Sequence, residues 1–395
     1  MRMLLGSCCA LALIASTAFA QPGIPASYQP PRVSGDGWKT ARADSLGVDA
    51  TRLAALTESI RTSPQLGVHA IVIERAGRLI YEEYFDGDDQ RWGDPLGRVS
   101  MTANTLHDLR SVTKSVVSAL VGIAVGEGTI ATLDRPVVQW FPEFPDLDTP
   151  ERRRVTLRHV LGMTSGFAWN ENISYDDPRN DEIRMTRDTL PLRYALARPF
   201  AVDPGSDFNY NGGLTQVMAA VLTRATRTSL QEYARTKLFE PLGITRVEWV
   251  GDLAGMPAAA SGLRMRARDV AKFGSLYLHA GRWNGKQVLP ADWVTLSTRR
   301  HFRFSGGQPG TGEAGYAYFW WYNCYPTAAG LIEARTAVGN GGQRIFVLPG
   351  LDMAVTILAG KYNDFPAAGE LARIILREHV IPAVRTGARP GCPNS

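Results

Sequence analysis

A long helical stretch lies between two stretches with strand patterns, and this order constrains the fold more than any other feature. Short apolar runs flank Gly77 and predict a β-hairpin, with strands at His69–Ile73 and Leu79–Tyr81. From residue 110 to residue 300 the pattern is mainly helical, with loops rich in proline and glycine. Strand-like runs then return at Tyr316–Tyr322, Ile345–Leu348 and Met353–Leu358. The order predicts one α/β unit interrupted by an α-rich insertion.

Helical patterns at both ends complete this outline. A first amphipathic helix is predicted over residues 48–62 and a last one over 366–380. The predicted division is an extended lead-in at 21–44, an α/β domain at 45–110 and 301–385, a mainly helical domain at 111–300, and a C-terminal tail at 386–395.

Residues 1–20 have the pattern of a secretory signal peptide. Arg2 precedes the apolar run Leu4–Ala15, and Ala18-Phe19-Ala20 forms a cleavage site before Gln21. We therefore expect an exported protein, periplasmic or secreted into the medium. Two cysteines, Cys324 and Cys392, remain after cleavage, and an oxidising compartment would allow them to form a disulfide, although the sequence alone leaves that pairing open.

Charge and motifs exclude several functional classes. The 43 basic and 38 acidic residues are scattered, so no nucleic-acid partner is expected. No apolar run after the leader approaches the ~18 residues of a membrane span, so stable membrane insertion is not expected. The chain has no G-x-S-x-G, H-E-x-x-H or paired C-x-x-C motif, nor a P-loop, and its six histidines follow no catalytic spacing. We expect no cofactor and no metal; the oligomeric state stays open.

A serine and a lysine three residues apart open an apolar helix at Ser111-Val112-Thr113-Lys114. Residues at this spacing share a helix face, so Ser111 Oγ and Lys114 Nζ can meet. The helix N-terminus adds unpaired N–H groups and a positive dipole end. We expect this field to lower the pKa of a buried Lys114, which would let it activate Ser111 as a nucleophile. By itself, the spacing also fits a serine N-cap followed by an exposed lysine.

The surrounding segments resolve this ambiguity, because they resemble the serine β-lactamase and penicillin-binding-protein superfamily. The likeness is strongest to the class C-like branch, which includes carboxylesterases, D-aminopeptidases and 6-aminohexanoate-dimer hydrolases. The matching segments, in the family's order, are His107–Ser115, Thr156–Gly166, Pro204–Gly213, Ser261–Asp269 and Gly339–Gln343. The resemblance implies a β-lactamase/transpeptidase-like fold of the α/β (α+β) class, in which helices flank an antiparallel sheet beside an α-rich domain.

Tyr210 matches the tyrosine of the family's Y-x-N motif, which shuttles protons between nucleophile and leaving group. A neighbouring lysine cation is expected to favour its anion. The chain departs from the motif at the third position, where Gly212 replaces the asparagine that would donate to a substrate amide. Asn211 could take over that binding role if the loop turns differently.

A second departure lies at the edge strand beside the nucleophile. The family's K-T-G or H-x-G triplet corresponds to Ala337-Val338-Gly339, which lacks the cation that holds a substrate carboxylate. Arg335 or Lys361 could replace that charge. The resemblance still implies an oxyanion hole, which we assign to the backbone N–H groups of Ser111 and Asn340, with Gly339 allowing close approach of the substrate.

Other substrate contacts are expected from the loop at residues 169–177 and from an aromatic strand. Tyr175 and Asp181 are candidates for binding a polar or cationic tail. Only one of Trp320 and Trp321 can face the core, because side chains alternate along a strand. We take Trp321 as the one beside the substrate.

Together these features predict an exported serine hydrolase that cleaves small esters or linear amides through a Ser111 acyl-enzyme, with Lys114 and Tyr210 as general base and acid. The G-x-G-G-Q segment at 339–343 is similar to that of the 6-aminohexanoate-dimer hydrolases. Two alternatives stay open: a β-lactamase or D,D-peptidase that recognises penicillins, and a catalytically silent relative that binds an envelope ligand.

Overall fold

The computed structural model describes residues 27–251, 255–304 and 314–392. The predicted signal peptide at 1–20 lies outside these ranges. The strands within them are β1 (Lys39–Thr40), β2 (Val68–Arg75), β3 (Arg78–Tyr84), β4 (Gly87–Arg91), β5 (Asp94–Val99), β6 (His107–Asp108), β7 (Val247–Trp249), β8 (Leu263–Met265), β9 (Arg282–Trp283), β10 (Lys286–Gln287), β11 (Phe302–Arg303), β12 (Gly315–Tyr316), β13 (Trp321–Thr327), β14 (Gly330–Gly339), β15 (Gln343–Leu348) and β16 (Met353–Ala359).

The α-helices lie mostly between β6 and β11, as the sequence predicts. They are α1 (Ala50–Arg61), α2 (Val112–Gly126), α3 (Leu157–Leu161), α4 (Asp181–Thr186), α5 (Pro191–Leu196), α6 (Gly212–Thr226), α7 (Leu230–Ala234), α8 (Ala267–Leu278), α9 (Ala291–Thr298), α10 (Phe365–Arg373) and α11 (Ile381–Ala383). Segments of π-helix at Arg235–Phe239 and Ile374–Val380 extend α7 and α10. No helix in the described ranges is long and apolar enough to cross a membrane.

One sheet of nine strands organises the molecule, in the order β1-β3-β2-β16-β15-β14-β13-β12-β11. All neighbouring pairs are antiparallel except β1 and β3, which run parallel. The strands come from both ends of the chain, so the helical block is inserted between two parts of one sheet. The expected β-lactamase/transpeptidase-like architecture, a sheet flanked by helices beside an α-rich region, is therefore present.

Both faces of the sheet are covered, which explains why β2 and β16 are buried along their whole length. Ile71, Ile73 and Val355 pack with α1 and α10 on one face. Val72 and Ile345 pack on the other face with the large core of α2, α6 and α8. Helix α2 is buried nearly throughout, and it lies between this sheet face and α6. Ser111 immediately precedes α2. The packing of α2 between the sheet and α6 therefore fixes the position of Ser111.

Two local details differ from the sequence prediction. The strand predicted at Tyr316–Tyr322 is interrupted, because Phe319 adopts a left-handed backbone conformation with φ 61° between β12 and β13. The hairpin β4–β5 lacks the apolar alternation of a predictable strand pair, since only Asp89 of β4 is buried. A disulfide joins Cys324 of β13 to Cys392 in the C-terminal tail.

Candidate active site

Ser111 and Lys114 lie on the first turn of α2, and their side chains meet as the spacing predicts. Lys114 Nζ lies 3.0 Å from Ser111 Oγ and donates a second hydrogen bond to the carbonyl of Ala260 at 3.1 Å. Arg110, just before the serine, has φ 49°, a left-handed conformation that is costly for a side chain of this size. This sharp turn between β6 and α2 presents Ser111 to a cavity.

Tyr210 lies at the end of the loop that leads into α6. Its side chain lies beside Ser111 and Lys114, and the Lys114 charge acts on its hydroxyl. The Lys114 ammonium is 4.9 Å from the centroid of its ring. Trp321 stacks on the other side, with 5.8 Å between ring centroids. The structure therefore brings the three predicted catalytic side chains into one contact group.

Two buried glutamates complete this group, and neither was predicted from the sequence. Glu182 Oε2 lies 3.8 Å from Lys114 Nζ, and Glu182 Oε1 accepts a hydrogen bond from Ser261 at 2.9 Å. Glu171 accepts from the backbone N–H of Gly212 at 2.6 Å and from the Tyr175 hydroxyl at 2.9 Å. We call Glu171 and Glu182 the carboxyl pair.

The carboxyl pair holds one proton at neutral pH. Burial and the adjacent charge of Glu182 raise the pKa of Glu171 to about 8. Burial raises the pKa of Glu182, but the Lys114 cation, the hydrogen bond from Ser261 and the charge of Arg110 act together with Glu171 to lower it overall. Two carboxyls at one site cannot both ionise cheaply, so Glu171 is the protonated member and Glu182 the charged one.

The carboxyl pair reverses the pKa shifts that the sequence suggests for Lys114 and Tyr210. Burial opposes the charge of Lys114, but Tyr210 and the carboxyl pair raise its pKa overall. Burial raises the pKa of Tyr210, and Lys114 only partly offsets that effect. The expectations of a lysine with lowered pKa and an anionic tyrosine are therefore wrong for the resting site, because they left out the carboxyl pair. The resting groups are an ammonium and a phenol.

The carboxyl pair also explains the departure at Gly212. A Cβ atom there would collide with Glu182 Oε2 and would lie 3.1 Å from Glu171 Oε2. The space next to residue 212 is thus occupied by carboxylate oxygens. The neighbouring Asn211 does not take over a binding role, since it is buried and its side chain caps α6 by accepting from Leu214 N at 3.1 Å.

A cavity of about 270 Å³ opens beside Ser111. Of the predicted substrate-binding residues, Tyr175 lines it, together with Asn340. The sequence analysis missed several further lining residues: Gln90, Trp92, Arg110, Glu182, Arg187, Ser261 and Asn363.

Two other predicted substrate contacts are wrong. Asp181 is buried away from the cavity, where it accepts from Asn170 N at 2.7 Å and from the Tyr194 hydroxyl at 2.5 Å. Successive residues of a helix point about 100° apart, so Glu182, the next residue of α4, faces the nucleophile instead. Trp321 packs against Tyr210 and Phe208 and so supports the tyrosine without lining the cavity.

The backbone around Ser111 and Asn340 is compatible with an oxyanion hole. Both residues line the cavity, and neither N–H donates a hydrogen bond to another residue in the described ranges. At Gly339 a Cβ atom would collide with the carbonyl of Leu109, so β14 approaches the turn before Ser111 as closely as a backbone can. Asn340 and Asn363 bond to each other, and Asn363 Nδ2 reaches Asp176 at 2.8 Å, which ties the loop over the cavity to this edge.

The cation missing from the edge strand is not restored by the predicted substitutes. Arg335 pairs with Glu333 at 2.5 Å on β14, and the aliphatic stem of Lys361 packs on Gly67. Neither lines the cavity. Positive charge comes instead from Arg110, which is paired with Asp108 at 3.2 Å, and from the exposed Arg187.

The serine–lysine–tyrosine group lies at the junction of a helical region and an antiparallel sheet, and this arrangement indicates a hydrolase. The Beta-lactamase family model matches residues 54–378, and the chain belongs to this family of hydrolases.

The named relatives differ in how much of the chain they cover. The 6-aminohexanoate-dimer hydrolase of Paenarthrobacter ureafaciens is 26% identical over 335 residues, which span 80% of this chain and 77% of that protein. The lovastatin esterase of Penicillium rubens is 27% identical over 132 residues, covering 31% and 30% of the two chains. Among solved structures, the octameric penicillin-binding protein homologue from Pyrococcus abyssi has a TM-score of 0.61 at 18% identity, with 85% of this chain and 79% of that one covered.

Proposed function

We propose that this protein is an exported serine hydrolase that cleaves small esters or linear amides through an acyl-enzyme on Ser111. The observation that carries the proposal is the contact of Ser111 Oγ with Lys114 Nζ at 3.0 Å, with the Tyr210 ring centroid 4.9 Å from the same ammonium. An intact nucleophile group of this kind is not expected in a silent binding protein. The relatives named as an amide hydrolase and an esterase support the same reaction type.

The charges of the resting site define how Ser111 is activated. Lys114 is protonated and cannot accept a proton until it loses one. Glu182, 3.8 Å away, is the nearest carboxylate that can take that proton, and because the transfer runs against the resting pKa directions of Lys114 and Glu182 it contributes to the activation barrier. The neutral amine then accepts the Ser111 proton as Oγ attacks the substrate carbonyl. The reaction thus uses the carboxyl pair as a proton reservoir behind Lys114.

The remaining steps use groups already in contact. The oxyanion of the tetrahedral intermediate is stabilised by the N–H groups of Ser111 and Asn340. Tyr210 donates its proton to the leaving alcohol or amine as the carbon–oxygen or carbon–nitrogen bond breaks. Tyr210 then regains a proton from Lys114. Water then attacks the acyl-Ser111 ester by the same transfers in reverse, which releases the acid and restores the serine.

The charge distribution favours esters and linear amides over β-lactams. A β-lactam carries a carboxylate close to its reactive carbonyl, and Ala337 replaces the cation of the edge strand that would hold it. Glu182 lines the cavity next to the nucleophile, where its charge repels an anionic group of the substrate. The exposed Arg187 also lines the cavity and can contact an acidic group at the far end of a substrate. A linear amide whose charges lie away from the scissile bond fits this pattern. The 6-aminohexanoate-dimer hydrolase to which the chain is similar is named for an activity of this kind.

Intact mass spectrometry of the mature protein tests the proposal. The protein is mixed briefly with a short-chain activated ester, a linear aminohexanoate amide and a β-lactam, and Ser111→Ala is the control. We expect a Ser111-dependent acyl adduct, or product release, with the ester or the amide. A stable adduct with the β-lactam alone would instead indicate a penicillin-recognising enzyme, and no adduct or product with any of the three would indicate a silent relative.

Two further measurements test parts of the proposal. Lys114→Ala is expected to lower kcat by ~10²-fold or more; if more than about a tenth of the rate remained, the lysine-activated mechanism would be wrong. Export is tested by expression of the full chain followed by mass analysis of the protein outside the cytoplasm. A mature form that begins at Gln21 supports signal-peptide cleavage, and an uncleaved protein retained in the cell contradicts it.

A further inference from the structure

A buried cluster of three side chains lies behind the active-site wall, and the acyl-transfer mechanism does not use it. It consists of His69 at the start of β2, Asp89 in the middle of β4 and His107 in β6. All three are buried, and their nitrogen and oxygen atoms lie within 4.8 Å of one another. Neighbouring members of the cluster are about twenty positions apart along the chain, so no short sequence motif predicts the cluster.

One ring nitrogen of His69 points at one ring nitrogen of His107. His69 Nδ1 lies 2.8 Å from His107 Nε2. The other nitrogen of His107, Nδ1, donates to the carbonyl of Asp108 at 2.9 Å, so Nε2 of a neutral ring directs its lone pair into the cluster. An imidazole nitrogen oriented by a backbone carbonyl in this way is the usual arrangement of a metal-binding histidine.

The ring of His69 has little freedom to turn. A Cβ at Gly87 would lie 2.5 Å from His69 Nε2, and a Cβ at Gly360 would lie 2.7 Å from its Cε1. Two glycine backbones therefore clamp the ring and keep Nδ1 aimed at His107. This is a preorganised pair of nitrogen donors.

Asp89 brings a buried negative charge that lacks compensation. Its Oδ1 accepts from the Tyr362 hydroxyl at 2.8 Å, while Oδ2 has no hydrogen-bond partner among the described residues. His107 Nε2 lies 3.6 Å from Oδ1, but as the lone-pair nitrogen of a neutral ring it brings no positive charge. The nearby Arg110 is directed to Asp108 and to the ring of Tyr362. A buried carboxylate of this kind needs a cation.

We propose that His69 Nδ1, His107 Nε2 and the Asp89 carboxylate bind one divalent transition-metal ion, for which Zn²⁺ is the best match to the donor set. Two imidazoles and one carboxylate are ligands that Zn²⁺ favours. Tetrahedral Zn–N bonds of ~2.0–2.1 Å place two nitrogens ~3.3 Å apart, so the histidine pair opens by about half an ångström to accept the ion. The ion replaces the proton that otherwise lies between the two nitrogens and neutralises Asp89.

Such an ion would act structurally. It would join β2, the β4–β5 hairpin and β6, and His107 precedes the nucleophile Ser111 by four residues. The hairpin also supplies Gln90 and Trp92 to the cavity wall. The metal would therefore hold one wall of the cavity and the turn before Ser111 against the central sheet, without contact with the substrate.

The test uses the full mature protein, purified without a polyhistidine tag, and reads metal binding directly. We expect about one zinc per chain by elemental analysis. Removal with a chelator should lower the melting temperature, and Zn²⁺ should restore it. Co²⁺ added to the metal-free protein should give the visible absorption of a tetrahedral site. Asp89→Asn, which preserves the shape of the side chain, should weaken Zn²⁺ binding at least ~100-fold.

His379→Gln is the matched control, because His379 lies on the C-terminal helical segment Ile374–Val380, outside the cluster. It should bind zinc like the wild type. Wild-type protein that takes up no zinc, with a melting temperature indifferent to Zn²⁺ and to chelator, would overturn the proposal and leave a proton as the shared cation. Zinc binding that survives Asp89→Asn unchanged would also overturn it. If that variant does not fold, the Co²⁺ spectrum and chelator response of the wild type decide by themselves.

Discussion

Replacement of Gly212 by alanine tests whether the carboxyl pair occupies the space left by the missing asparagine side chain. The added Cβ would collide with Glu182 Oε2, and it would lie 2.9 Å from Cδ of the same residue. Glu182 cannot swing away cheaply, because it is buried and bonded to Ser261. The strain therefore stays inside the site.

The two effects of the substitution have opposite signs. Gly212 is the first residue of α6 and has no positive φ, so alanine at this position should stabilise the fold by about 0.5–1 kcal/mol. Overpacking of a buried site costs about 1–3 kcal/mol. The collision wins, and we expect Gly212→Ala to destabilise the protein by about 0.5–2 kcal/mol. In a Glu182→Ala background the collision is removed, and the same substitution should be neutral or slightly stabilising.

A double-mutant cycle measures this difference by thermal and urea denaturation of the four proteins. We expect a coupling free energy of about 1–2 kcal/mol between positions 212 and 182. Gly213→Ala is the matched control, because its Cβ would lie 2.7 Å from the ring of Trp169 and 3.0 Å from Ala195 Cβ, away from Glu182. Its cost should add to that of Glu182→Ala within about 0.5 kcal/mol. Coupling at position 212 no larger than that at position 213 would refute the reasoning.

Four further predictions follow from the site and the tail. Burial and Glu182 raise the pKa of Glu171 to about 8 from the ordinary 4.5, so between these pH values the folded protein holds a proton that the unfolded chain releases. The stability of the fold should therefore fall as the pH rises from 4.5 to about 8. Thermal melts of Glu171→Gln should show a flatter pH dependence. Glu182→Gln should lower kcat by ~10²-fold with little change in KM, since it removes the proton acceptor behind Lys114, and a loss within about threefold would contradict that role. Arg187→Ala should raise KM about 2–5-fold for a linear amide with a terminal carboxylate and leave a neutral ester unaffected, as expected for one exposed ion pair. Cys392→Ser should destabilise the protein by about 2–4 kcal/mol, because the disulfide closes a loop of 68 residues, and a reductant should lower the melting temperature of the wild type but not of the variant.

The parts of the site that are local in sequence were predictable. Ser111 and Lys114 share one helix turn, so their contact follows from helix geometry alone. Tyr210 follows a loop whose order along the chain matches the family, and the sheet could be outlined because its central strands are apolar runs. Counting the cysteines that remain after the predicted leader gives Cys324 and Cys392 as candidates for a disulfide, although the sequence alone leaves their pairing open.

The rest depends on packing between distant segments. Asp181 and Glu182 are adjacent acidic residues, and only the direction in which α4 starts decides which of them faces Lys114. The hairpin β4–β5 forms part of the cavity wall although its sequence has almost no apolar alternation. One signal was available for Glu182: a glycine in place of the Y-x-N asparagine indicates that another side chain fills the space.

The two departures from the family pattern have different consequences for recognition. At Gly212 the asparagine side chain of the family motif is missing, and the carboxyl pair occupies the space next to this residue. The carboxyl pair in turn raises the pKa of Lys114. At Ala337 a cation is lost and no side chain in the described ranges restores it at that strand, since Arg335 and Lys361 point elsewhere. If the proposed function is correct, both changes remove substrate contacts close to the scissile bond. We infer that selectivity comes from the cavity wall farther out, where Trp92, Tyr175 and Arg187 lie. An enzyme built this way should discriminate weakly between ester and amide groups at the reacting carbon and more strongly between the tails they carry.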